Sequence, residues 1–151
     1  MNRTDERFDA LSKRYGGLSD NLGFQAEEFF YQGLKQDLEV GGIRFDSIER
    51  NFKVFGKEYD ILLINGDTLM LISVKYRLHH NDMFEFLQKD VPAFKKFFPQ
   101  YQDYKIYAGM ATFSMGEGVD AIVQEQGCYL FTQSGDHPQL LNAPDFQAKL
   151  F

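Results

Sequence analysis

Apolar residues recur along this chain with a period that changes from block to block. Between Asn21 and Leu38, the positions Leu22, Ala26, Phe29, Phe30, Gly33 and Leu34 form one stripe at 3.6-residue spacing and predict an amphipathic helix. After Gly41-Gly42 the spacing shortens towards two. Ile43 to Phe55 alternates as a strand, Glu58 to Ile64 as a second, and Thr68 to Leu78 as a third. Asn65-Gly66-Asp67 joins the last two with a strong hairpin signal. The run Leu69 to Val74 is almost wholly apolar, which predicts a central strand covered on both faces.

Helical spacing then returns. Asn81 or Asp82 can cap a helix over Met83 to Phe98, with Phe84, Leu87, Val91, Phe94, Phe97 and Phe98 facing inward. Pro92 lies within it and predicts either a kink or two consecutive helices. Tyr104 to Phe113 predicts a fourth strand, Glu117 to Gln126 a helix, and Cys128 to Thr132 a fifth strand. The tail, 133–151, looks irregular apart from a short last helix. Ahead of all this, Phe8, Leu11 and Tyr15 give Thr4 to Tyr15 the pattern of a short amphipathic helix. It forms an N-terminal arm over 1–20 that packs on its own domain or on a second copy, so a homodimer is one expectation. The order is helix, three-strand meander, helix, strand, helix, strand, which predicts an α/β fold with a mixed sheet flanked by helices.

Composition narrows the class. At 151 residues the chain matches a single domain, and 44% hydrophobic residues, with 16 Phe and 8 Tyr, supply ample surface for one core. The 16 basic residues against 22 acidic ones give a net charge of −6, so nucleic acid would have to be met by a local patch. A single cysteine, Cys128, excludes an internal disulfide framework and a cysteine-based zinc site. The charged start of the chain does not resemble a signal sequence, and no stretch reaches the ~20 apolar residues of a membrane span, so a cytoplasmic protein without a membrane is expected.

The candidate chemistry lies on the meander. Strict alternation puts Glu58, Asp60, Leu62 and Ile64 on one face of the second strand, and Leu69, Leu71, Ser73, Lys75 and Arg77 on one face of the third. Paired through the Asn65-Gly66 turn, the two strands bring Asp60 and Lys75 together at the end away from it. A carboxylate there can bind Mg²⁺ while an ammonium holds a phosphate or the attacking water. A plain cross-strand Asp60–Lys75 ion pair accounts for the same residues. Arg77, His79 and His80 follow and contact a phosphate backbone, pair with Glu85, or form an ordinary polar loop before a helix.

Gly23-Phe24-Gln25-Ala26-Glu27 on a helix, Glu58-Tyr59-Asp60 on a strand and Ile72-Ser73-Val74-Lys75 on the next strand resemble, in that order, the PD-(D/E)XK superfamily, which includes restriction endonucleases and Holliday-junction resolvases. The resemblance covers Leu22 to Leu130 and implies a restriction endonuclease-like α-β-β-β-α-β core. It implies that Glu27 orients the attacking water, that Asp60 is the principal ligand of Mg²⁺ or Mn²⁺, and that Lys75 is the catalytic lysine. Glu28 competes with Glu27, but at 100° per residue Glu27 borders the apolar face whereas Glu28 points away. The departure is Ser73, where the superfamily places a second acidic ligand. Its hydroxyl removes a negative charge from the site, which Glu58 would restore alongside the Val74 carbonyl, unless Glu58 faces the surface. Two functions follow: a metal-dependent nuclease acting on DNA or RNA, or a catalytically inactive nuclease fold that binds nucleic acid or protein.

Overall fold

The computed structural model describes residues 21–54 and 56–151. The Thr4–Tyr15 helix, and with it the arm and the dimer contact expected of it, lies outside the described residues. Helix α1 occupies 21–36, close to its predicted span. Its apolar stripe is buried through Ala26, Phe30 and Leu34. Gly33 is required there, because a Cβ at that position would overlap the Pro138 ring.

The expected strand Ile43–Phe55 is divided. Its first part, β2 (Ile43–Arg44), folds back on β1 (Glu39–Val40) across Gly41 and Gly42, both at positive φ. Buried Phe45 then turns the chain: its N–H donates to the Leu38 carbonyl at 2.8 Å, and the next N–H, that of Asp46, donates to the Ile64 carbonyl at 2.8 Å. Only β3 (Ser47–Val54) joins the main sheet.

Six strands form that sheet in the order β3-β4-β5-β6-β7-β8. β3, β4 (Lys57–Asn65) and β5 (Thr68–Leu78) are the antiparallel meander. A helical crossover returns the chain to β6 (Lys105–Met115), parallel to β5. Helix α4 (Val119–Glu125) then leads to β7 (Tyr129–Ser134), parallel to β6. This is the mixed α/β sheet that the pattern of periods predicts, in the order helix, three-strand meander, helical crossover, strand, helix, strand.

The first crossover settles the question posed by Pro92. Helix α2 (His80–Glu85) widens into a π-turn over Phe86–Asp90 and continues as α3 (Val91–Phe97), with Pro92 in its first turn. Proline cannot donate to the preceding turn and crowds the carbonyl four residues back, and a wider turn relieves both. The helix starts at His80 rather than Met83, and the His79 N–H donates to the Asp82 carboxylate at 2.9 Å. Phe84, expected inside, is 36% exposed.

The tail is not helical. Gly135, at φ 61°, turns the chain into β8 (His137–Leu140), antiparallel to β7. Pro138 argues against a strand in a sequence, yet it is tolerated on an edge strand such as this one.

The sheet separates two cores. Leu62, Leu69, Leu71, Ile106 and Met110 pack with Met83, Val91, Phe94 and Val123 on the α2–α4 side. Ile61, Leu63, Met70, Ile72 and Val74 pack with Ala26, Phe30 and Leu34 on the α1 side. Cys128 is fully buried, and burial pushes its thiol well above the ordinary range, as for an inert core cysteine. No helix among the described residues is long and apolar enough to cross a membrane.

Candidate functional site

The two central strands of the meander part at one end. Ladder pairing of β4 with β5 runs from Asn65 and Thr68 to Ile61 and Ile72 and stops there, although β4 stays paired with β3 as far as Lys57. On β3, between the partners of Ile61 and Tyr59, stands Asn51, a non-glycine residue at φ 58°. This left-handed conformation is one that asparagine tolerates better than most residues.

The distortion changes which way β4 faces. Tyr59 lies on the α3 side, its ring 5.3 Å from that of Phe94 and its hydroxyl donating to the Asp90 carbonyl at 2.7 Å. Ile61 and Leu63 lie on the α1 side. Strict alternation would place all three together, so the single face expected for Glu58, Asp60, Leu62 and Ile64 does not run through the site. Asp60 instead turns towards β5, where its carboxylate accepts the Val74 N–H at 2.7 Å.

Glu27, Glu58 and Asp60 converge at this fork. Each offers a carboxylate oxygen, and the three lie within 4.8 Å of one another. Burial pushes the Asp60 carboxyl up to about 7. The Val74 N–H opposes that rise, the charge of Glu27 adds to it and that of Lys75 reduces it. Burial also raises Glu27. Its hydrogen bond with Asp60 offsets part of the rise, Glu58 adds to it, and Arg50 and Lys75 counter it. The two carboxyls are therefore linked through a shared hydrogen bond, and burial disfavours the charged form of both.

This donor set fits a hard divalent cation. Bonds of about 2.0–2.6 Å to oxygen place two ligands of one cation at most about 4–5 Å apart, and such a cation can replace the shared proton. The acidic cluster is thus able to hold a metal.

The remaining candidates divide. Lys75 is exposed and acts on both Glu27 and Asp60 through its charge, but it makes no ion pair among the described residues. The simple Asp60–Lys75 pair is therefore not formed, and Asp60 is held by Val74 and Glu27 instead. Ser73 is half-buried. Glu28 points elsewhere, ion-paired with Arg50 and accepting a hydrogen bond from Gln32 at 2.8 Å. Arg77 is exposed. His79 pairs with Asp82 at 3.3 Å rather than with Glu85, and His80 opens α2. Arg50 and Asn51 were not foreseen. Arg50 ties α1 to β3 through Glu28 and through the Tyr31 ring, 4.3 Å away, and nothing in a period-two pattern marks either residue.

The same fold occurs in a repair endonuclease from Pyrococcus abyssi. Its crystal structure matches with a TM-score of 0.50 and 14% identity, over 67% of this chain and 43% of that one. The chain thus spans less than half of that protein's length, and at this identity the likeness is one of fold. Neither a protein-family model nor a curated protein matches the sequence. A nuclease-like fold and an acidic cluster at the fork of its central strands are therefore established on separate grounds.

Proposed function

We propose that this chain is a PD-(D/E)XK-type nuclease, hydrolysing phosphodiesters of DNA or RNA with Mg²⁺ or Mn²⁺. The observation that carries this reading is the convergence of Glu27, Glu58 and Asp60 where β4 leaves β5. Asp60 is the principal ligand, kept in place by the Val74 amide. Glu58 supplies the charge that Ser73 lacks, and the Val74 carbonyl completes the protein's ligand set. A bound divalent cation neutralises the phosphate and acidifies water. Glu27, beside Asp60, would orient the attacking water. Lys75, exposed and unpaired among the described residues, stabilises charge that develops on the phosphate. Arg77, His79 and His80 contact the backbone on either side of the scissile bond.

A second reading retains the fold without the reaction. Ser73 in place of a carboxylate and a net charge of −6 both favour a module that binds nucleic acid or protein without cleaving it. Calorimetric titration with Mn²⁺ separates the two. Saturable binding that disappears in Asp60→Ala, together with cleavage that disappears in Lys75→Ala, is the result expected of the nuclease. No metal binding by the wild-type chain would leave only the module.

A further inference from the structure

Beside the acidic cluster, the α1 side of the sheet carries a row of rings for which the reaction above has no use. Tyr76 follows Lys75 on β5 and is 43% exposed. Its ring stands edge-on to Phe113 of β6, with centroids 5.8 Å apart and planes at 88°. Phe113 rests in turn on Phe29 and Phe30, at 5.3 and 5.5 Å. Phe30 is fully buried, so the row is anchored in the core at one end and open to solvent at the other. Tyr76 is only two residues, about 7 Å of strand, beyond the Val74 amide that holds Asp60. One helical turn ahead of Glu27, Phe24 offers a second ring, 58% exposed.

Charge decides what such rings serve. Duplex binding draws mainly on phosphate contacts from basic residues, and this chain has a net charge of −6 with three carboxylates gathered at the fork. Stacking on an aromatic ring adds an attraction to that of any basic groove, and it needs a base whose face is free. We infer that Tyr76, backed by Phe113, is a base-stacking platform, and that the substrate of the acidic site is single-stranded nucleic acid. The inference rests on the nuclease reading for its substrate role and on the rings for its binding role.

The test separates these roles. Fluorescence anisotropy with the full chain in EDTA measures binding to short oligothymidylate, to its duplex with oligoadenylate, and to oligouridylate. The uridylate arm distinguishes RNA from DNA as the source of the unpaired base. The single strand should bind at least about ten-fold tighter than the duplex, and Tyr76→Ala should lose about ten-fold of that affinity, within the range of one lost stack. Tyr76→Leu, which keeps an apolar contact on Phe113, should lose as much, whereas Tyr76→Phe should retain wild-type affinity. Equal or tighter duplex binding, no binding to any probe, or full affinity in Tyr76→Leu would overturn the platform. A parallel Mn²⁺ cleavage assay tells the failures apart. Tyr76-dependent binding without cleavage removes the nuclease and leaves the platform standing, while duplex cleavage unaffected by Tyr76→Leu removes the platform and leaves the nuclease.

Discussion

The two ends of the β4–β5 hairpin use the same pair of strands in opposite ways. Near the turn, Ile61 to Leu63 lie against Met70 to Ile72 in an unbroken ladder, and every one of those side chains is buried. Past Ile61 the pairing stops, and a carboxylate accepts the amide hydrogen of Val74. One end minimises free energy by burying apolar surface. The other takes acids partly out of water and holds three of them close together, at a cost visible in the pKa of Asp60 and Glu27, which burial raises first and neighbouring charge second. Stability contributed at the closed end permits unfavourable chemistry at the open one.

That contrast breaks most sharply under mutation. Leu62→Ala, at a fully buried position in the ladder, should cost about 2–5 kcal/mol in urea unfolding, the usual range for a leucine cavity. Asp60→Asn should do the opposite above pH 7 and stabilise the metal-free chain, because it removes a carboxylate that is reluctant to ionise. A destabilising Asp60→Asn would mean that the fork is not strained.

The pH dependence sharpens the same point. Asp60 keeps its proton up to about 7 when folded, against 3.8 for an ordinary aspartate, so between those values the folded chain holds a proton that the unfolded chain has released. Its stabilising contribution is therefore complete below about pH 4 and is lost as pH rises through 7, at no more than about 1.4 kcal/mol per pH unit for one proton. Urea midpoints from pH 4 to 8 should show this slope in the wild type and lack it in Asp60→Asn. Mn²⁺ competes with that proton and should raise the melting temperature more at pH 8 than at pH 5.5.

The closed end was legible in the sequence and the open end only in part. Alternation and the Asn65-Gly66 turn are enough to pair Ile61–Ile64 with Leu69–Ile72. The same alternation, extended to Asp60, gives the wrong facing, because the strand is reoriented where Asn51 adopts a left-handed backbone and Asp60 satisfies Val74. Neither event leaves a periodic trace. Helical phase did distinguish Glu27 from Glu28, since both lie in a regular helix whose buried face Ala26 and Phe30 define. The split of Ile43–Phe55 was hidden for another reason: Phe45 fits a strand pattern as well as it fits the corner it occupies.

Ser73→Glu should have a smaller effect. A carboxylate at position 73 adds one negative charge near the fork, and Mn²⁺ affinity should rise several-fold if it joins the three acids already there. Unchanged or weaker binding in the calorimeter would show that Glu58 already fills the place.

The finest contrast is between adjacent glutamates. Glu27→Gln removes one of the three converging oxygen donors' charges and should weaken Mn²⁺ binding, while relieving the crowding that raises Asp60. Glu28→Gln should leave Mn²⁺ affinity unchanged, because Glu28 is fully engaged with Arg50 and Gln32 on the outer side of α1. Loss of that pair loosens the tie between α1 and β3, but Arg50 still lies over Tyr31, so Glu27 keeps its place against Asp60. Calorimetry on the two variants at one pH decides the matter. Equal losses of metal affinity would mean that the Arg50 pair, and not helical phase alone, places Glu27 at the fork.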